Sequence, residues 1–332
     1  LDISEVNITE LKTMFFINSE NVKNLILPNR LTAIGLNMFC NSRLKTVVIP
    51  ASVQTIEAGA FEECSNLSTV TFEKGSQLKT IKGGYTSSAT KPRDYHGAFS
   101  DCAALASIEI PASVQNIEAY AFSGCYKLTT VIFEKGSQLK SISVGYNALT
   151  SIEIPASVET IESSAFGSCV SSLATVTFEK NSQLKTIGRS SFGNSALTSI
   201  EIPASVQTIE ANAFRECSNL STVTFEIDSE LRNILGDFDD EQNNGAFCNS
   251  GNLKIVDMSE CNQVEGIGSY AFLNDSKLEL FKIGTEIPPT CGYDVFRNVP
   301  SYLILKVPSG CADAYKAATE WKRFASIIGL DE

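Results

Sequence analysis

The fold class this sequence predicts is a β-rich solenoid: a right-handed superhelix of about twelve coils with a parallel sheet and a C-terminal capping helix. Three observations predict it. A short apolar motif recurs about every 23 residues, apolar and polar residues alternate inside each motif, and one helical pattern stands alone near the C-terminus.

The motif is L-x-x-[IVF]-x-[IFLMV]. Its central residues are Leu25, Val47, Val70, Ile108, Val131, Ile152, Val176, Ile200, Val223, Val256, Phe281 and Leu305, the first and last with Leu at the centre and without the leading Leu. Successive gaps are 22, 23, 38, 23, 21, 24, 24, 23, 33, 25 and 24 residues. A period near 23 falls in the leucine-rich-repeat range and well below that of helical-pair repeats.

Two classes of segment alternate. One reads PASVQTIEAGAFEEC from Pro50 to Cys64 and returns from Pro111, Pro155 and Pro203. The other reads LSTVTFEKGSQLKTI from Leu67 and returns from Leu128, Leu173 and Leu220. The repeated unit is therefore a pair of coils. In Leu67 to Phe72 the side chains of Val70 and Phe72 point one way and those of Thr69 and Thr71 the other, which is a strand ended by Pro or Glu-Lys-Gly. A second apolar series, Val53, Ile56, Ala60 and Phe61, turns the chain back through short strands or 3₁₀ turns. The phenylalanines that follow Ala at one position (Phe61, Phe122, Phe166 and Phe214) are expected to stack as a buried column.

A single coil cannot offset its own ordering entropy, so coils must stack and the open ends need covers. At the C-terminus Ser309 can N-cap a helix through Ala312, Tyr315, Ala318, Trp321, Phe324 and Ile328. The expected organisation is a solenoid over residues 1–308 and a capping helix and tail over 309–332. The stretch Leu11 to Phe16 shows no comparable lid. The chain starts at Leu1 with neither Met nor signal peptide, which reads as a mature fragment whose signal or lipoprotein anchor has been removed.

Composition narrows the function. The 332 residues are 43% hydrophobic and 19% charged, too apolar for a disordered chain. With 26 basic and 38 acidic side chains the net charge is −12, which supplies no positive footprint for nucleic acid or an anionic membrane. No stretch approaches the ~18 apolar residues of a membrane span.

The string I-P-x-S-V-x-x-I-x-x-x-A-F-x-x-C, from Ile49 to Cys64, resembles the BspA-like leucine-rich repeat family of bacterial surface proteins. The ending is similar too: Pro288-Pro289, Phe296, Leu305 to Pro308, Tyr315, Trp321 and Phe324. The resemblance implies an exported protein, often a lipoprotein. Some members are adhesins for host matrix proteins or other bacteria. It implies no catalytic residues and no ligand motif to carry over. The long coils after Val70 and Val223 depart from the pattern.

No catalytic or cofactor constellation stands out. The lone histidine, His96, lies in the insertion Gly83 to Gly97, where a solvated loop histidine is favoured over a nucleophile–base pair. The run Gly266 to Ala271 matches G-x-G-x-x-A but lies in the repeat's own turn. Asp237, Asp239, Asp240 and Glu241 form an acidic loop that fails the EF-hand pattern at Gln242 and Cys248, so a solvated loop is favoured over weak calcium binding. Of ten cysteines, Cys64, Cys102, Cys125, Cys169 and Cys217 repeat one position and read as buried thiols, while a Cys291–Cys311 disulfide stays open.

Two features could bind a partner. The outward strand residues form a strip of Ser107 and Glu109, Ser151 and Glu153, and Ser199 and Glu201, alternating with threonine pairs. The strip is either a solvated repeat face or a concave acidic recognition surface. The insertion Gly83 to Gly97 gathers Tyr85, Lys91, Arg93, Tyr95 and His96, and is read either as neutral variation or as a border of the same site. The expected activity is a non-enzymatic, exported binding or adhesion module for a protein or glycan, on host matrix or another bacterial surface, with a structural stalk as the rival.

Overall fold

The computed structural model describes residues 2, 5–6, 9, 16–20, 22–88, 91–145, 147–167, 172–239 and 242–332, with the backbone alone at 85–88, 91–95, 238–239 and 242–243. The chain forms two compact units, Leu1–Val158 and Glu159–Glu332, each a parallel β-solenoid. Together they hold about twelve turns.

Every turn has three sides. In one turn, Thr46–Ile49 joins the first sheet and Thr55–Ile56 the second, after which Ala60 and Phe61 close the third side. The next turn starts its strand at Thr69–Phe72. Register is fixed by stacking like on like. Leu25 lies beside Val47 and Val47 beside Val70, while Ile34, Ile56, Ile81, Ile117 and Ile142 make a ladder in the second sheet. The second unit repeats this with Ile161, Ile187, Ile209, Ile234 and Ile267. All of these ladder residues are buried, so a one-residue slip would turn the whole apolar set outward.

The phenylalanine column is denser than the expected four residues. In the first unit Phe16, Phe39, Phe61, Phe99 and Phe122 stack, and in the second Phe166, Phe192, Phe214, Phe247, Phe272 and Phe296. Neighbouring centroids lie 5.0–5.6 Å apart. The turn spacing of about 4.8 Å is close to that of stacked rings, so every turn can supply one.

Three residues after most of the rings comes a small donor. The thiols of Cys64, Cys102, Cys125 and Cys217 donate to the carbonyls of Phe39, Phe61, Phe99 and Phe192 at 3.0–3.2 Å. Ser250 does the same to Phe214 at 3.1 Å. Burial pushes the Cys64 and Cys217 thiols up to about 11. These four cysteines are free, as are Cys291 and Cys311; Cys169 lies outside the described residues.

Reciprocal bonds explain why two segment classes alternate. Glu73, Glu134 and Glu226 of one class accept from the backbone N–H of Ala51, Ala112 and Ala204 of the other at 2.9–3.0 Å. Ser113, Ser157 and Ser205 in turn donate to the carbonyls of Leu78, Leu139 and Leu184 at 2.8–2.9 Å.

The C-terminal cap differs from the expected long helix. The helix covers only Ala312–Ala317, begins after Cys311 and has no side-chain cap, while Ser309 bonds Asp331 instead. Trp321–Arg323 is a 3₁₀ turn, and Ile328 lies in the strand Ser326–Gly329, which pairs with Ile304–Val307. Pairing that sheet edge satisfies backbone groups that a continued helix would leave open. The apolar residues still form a lid. Tyr315 bonds Thr285, Trp321 donates to the Pro289 carbonyl at 3.0 Å, and Phe324 meets Phe296 edge-on. Leu11 to Phe15, at the other end, lie outside the described residues.

Both insertions are antiparallel β-hairpins. One pairs Tyr85–Ser88 with Lys91–Tyr95 and the other pairs Gly236–Asp239 with Gln242–Gly245. Each leaves the turn between its second-sheet strand and its Ala-Phe side.

Candidate ligand-binding surface

The first sheet turns two residues of each strand outward. Ser107 and Glu109, Ser151 and Glu153, Ser199 and Glu201, and Thr69 and Thr71 are all exposed, while Thr222 and Thr224 are half-buried. Parallel pairing sets them in rows. In the first unit Thr130 lies beside Ser107 and Ile132 beside Glu109, and in the second Glu201 lies beside Thr224.

The rows are not purely polar. Ile132, 51% exposed, pairs beside Glu109 and occupies the same outward strand position. Val48 and Ile26 occupy the same outward position nearer the N-terminus. These residues sit at the strand position of Glu109, so the repeat alignment alone marks them as outward. Toward the C-terminus the position becomes Asp257, Lys282 and Lys306.

Electrostatics separate the two sheets. On the second-sheet side charges pair within the molecule, with Lys82 on Glu57, Lys185 on Glu230 and Arg232 on Glu265 at 2.9–3.0 Å. On the first sheet Lys282 holds Asp257 at 2.7 Å. Part-burial pushes the Asp257 carboxyl up, but the Lys282 and Ser259 bonds outweigh it and the net shift is downward. Glu109, Glu153 and Glu201 take part in no ion pair or hydrogen bond among the described residues.

The hairpin residues stand elsewhere. Tyr85, Lys91, Arg93 and Tyr95 are placed by backbone only, and their side chains lie outside the described residues. His96, at the hairpin foot, faces Glu62 on the Ala-Phe side, with Nδ1 3.0 Å from both carboxylate oxygens. Part-burial pushes the Glu62 carboxyl up, aided by Glu63 and Asp101 and opposed by His96. His96 is thus a paired residue and not a free loop side chain. The hairpin leaves the chain between a second-sheet strand and the Ala-Phe side, whereas Glu109 and Glu153 lie on first-sheet strands.

In the acidic hairpin Asp237 pairs with Arg189, and Asp240 and Glu241 lie outside the described residues. Among the described residues no three His, Cys, Asp or Glu side chains are placed to hold a metal ion. Nor is any helix long and apolar enough to cross a membrane.

The BspA type leucine rich repeat region model matches six copies, over residues 1–90, 95–148, 144–238 and 240–320. A leucine-rich repeat protein from Bacteroides ovatus is similar over 96% of this chain and 87% of its own, at 18% identity and a TM-score of 0.57. Two further structures are more distant. A leucine rich cell surface protein from Faecalibacterium prausnitzii shares 22% identity over 96% of this chain and 82% of its own, at a TM-score of 0.45. The pneumococcal vaccine antigen PcpA shares 19% identity over 93% and 89%, at 0.47. No curated protein matches.

Proposed function

The chain belongs to the BspA type leucine rich repeat family, and from that premise we propose that it is a non-catalytic bacterial surface module that holds a protein or glycan ligand on the outward face of its first sheet. The observation that carries this reading is the exposed carboxylates with no ion pair or hydrogen bond among the described residues, Glu109 and Glu153 in the first unit and Glu201 in the second, while on the second-sheet side Lys82 pairs with Glu57, Lys185 with Glu230 and Arg232 with Glu265. Flanking Ser and Thr hydroxyls add donors and acceptors, and Ile132 adds an apolar anchor. The flanking Ser and Thr side chains lose little rotamer entropy on binding.

The test is capture on a panel of purified matrix proteins and glycans, comparing the wild type with Glu109→Gln/Glu153→Gln/Glu201→Gln. The expected outcome is about tenfold weaker capture at unchanged melting temperature, as for loss of charge-assisted bonds. A stalk would retain nothing, and its variant would behave as the wild type.

A further inference from the structure

Each turn hands its corner N–H groups to the next. The amides of Phe247 and Asn249 donate to the carbonyls of Ala271 and Leu273 at 2.9 and 2.8 Å, and those of Phe272 and Asn274 donate to Val295 and Arg297 at 3.0 Å. The last turn breaks this rule. The amides of Phe296 and Asn298 have no acceptor among the described residues. The lid lays Trp321 and Phe324 against the Phe296 ring but brings no backbone carbonyl to the corner.

A cleft of about 320 Å³ opens at that corner. Phe296, Val299, Leu303 and Phe324 line it, together with Arg297, Asn298 and Arg323. Val299 stands where earlier turns carry Cys, Ser or Asp, so the column of small donors ends in an apolar wall. Arg297 and Arg323 each direct one nitrogen to a neighbouring carboxylate, Asp294 at 3.1 Å and Glu320 at 3.4 Å. Guanidinium carries five N–H donors, so both keep donors to spare.

We propose that this cleft binds a small carboxylate with an apolar body, such as an arylacetate or a short branched alkyl acid. The carboxylate accepts from the vacant corner amides and from a guanidinium, while the body rests on the Phe296, Leu303 and Phe324 surface. Charge favours this occupant over a further solenoid turn. A backbone carbonyl would satisfy the amides but gain far less from two guanidinium groups. Attraction for an anion must be local here, because the chain as a whole carries −12. The site is independent of the first-sheet face and does not rest on it.

The experiment is titration of the ¹⁵N-labelled protein with phenylacetate and, separately, with the uncharged phenylacetamide. Phenylacetate is expected to saturate and to shift the Asn298 amide, with phenylacetamide about tenfold weaker. Arg297→Gln and Arg323→Gln should each weaken phenylacetate about fivefold without changing the melting temperature, and Arg323→Lys should restore most of the loss. Equal binding of the two probes, or no saturable shift up to about 20 mM phenylacetate, overturns the proposal. So does concentration-dependent self-association that buries the Asn298 amide.

Discussion

Asp275 stands at the position that earlier turns fill with Cys or Ser. Its Oδ1 accepts from the Ser250 N–H at 2.8 Å, while Oδ2 is buried with no partner. Burial pushes its pKa well above the usual carboxylate range, against the pull of that one bond. A raised folded pKa means that the group's contribution is complete below the unfolded value, near about 4, and is lost as pH rises through the folded value. Asp275 therefore weakens the fold at neutral pH. Asp275→Asn keeps the acceptor and places an N–H donor where the small donors of other turns meet a Phe carbonyl. Urea melts should show a gain of about 1–3 kcal/mol at pH 7 that shrinks toward pH 4. A loss at pH 7 would show that the carboxylate is charged and compensated. Phe214, stacked 5.3 Å from Phe192 and 5.0 Å from Phe247, tests the column itself. Phe214→Ala should cost about 3–5 kcal/mol, and a cost below about 1 kcal/mol would place the ring outside the core.

At the scale of elements, the two hairpins share one device. A Cβ on Gly97 would lie 1.9 Å from the Tyr120 carbonyl, and one on Gly245 would lie 1.8 Å from that of Tyr270. Each hairpin foot is therefore pressed against the backbone of the next turn, which cannot yield. Gly97→Ala should destabilise by about 2 kcal/mol or more, whereas Gly84→Ala, with nothing within 4 Å, should stay within about 0.5 kcal/mol. Exchanging residues 84–96 for a Gly-Ser turn keeps Gly97 and the phenylalanine column, and removes the His96–Glu62 contact. Its thermal midpoint should fall only slightly, since one part-buried contact contributes on the order of 1 kcal/mol. A drop of several degrees would mean that the hairpin supports the turns beneath it.

At the scale of the whole molecule, stability in a solenoid is a sum over neighbouring turns, so a cover acts on what it touches. Trp321 packs on Phe281 and Phe296, at 6.0 and 5.4 Å, and bonds the Pro289 carbonyl. Trp321→Ala should raise amide exchange first in Leu280–Ile283 and Ile304–Val307, and leave the unit Leu1–Val158 protected. Uniform acceleration along the chain would instead indicate one cooperative block.

Much of this architecture was legible in the sequence because the repeat writes each constraint many times. A residue such as Val47 or Ile56 recurs at one spacing, and a spacing near 23 with strand alternation admits little besides stacked parallel strands. The alternation of two segment classes was legible as well, but its cause, the bond from Glu73 to the Ala51 amide, joins residues that only stacking brings together. The same limit applies to singular features. The cap's apolar spacing suited a helix, but the open sheet edge drew Ser326–Gly329 into a strand, because unpaired backbone groups outweigh local periodicity. The strip Glu109, Glu153 and Glu201 was visible as a pattern, whereas only the tertiary structure decided that those carboxylates meet no partner among the described residues and that His96 faces Glu62. Sequence repetition specifies which residues share a face; which of them remain uncompensated depends on every neighbour that folding brings within reach.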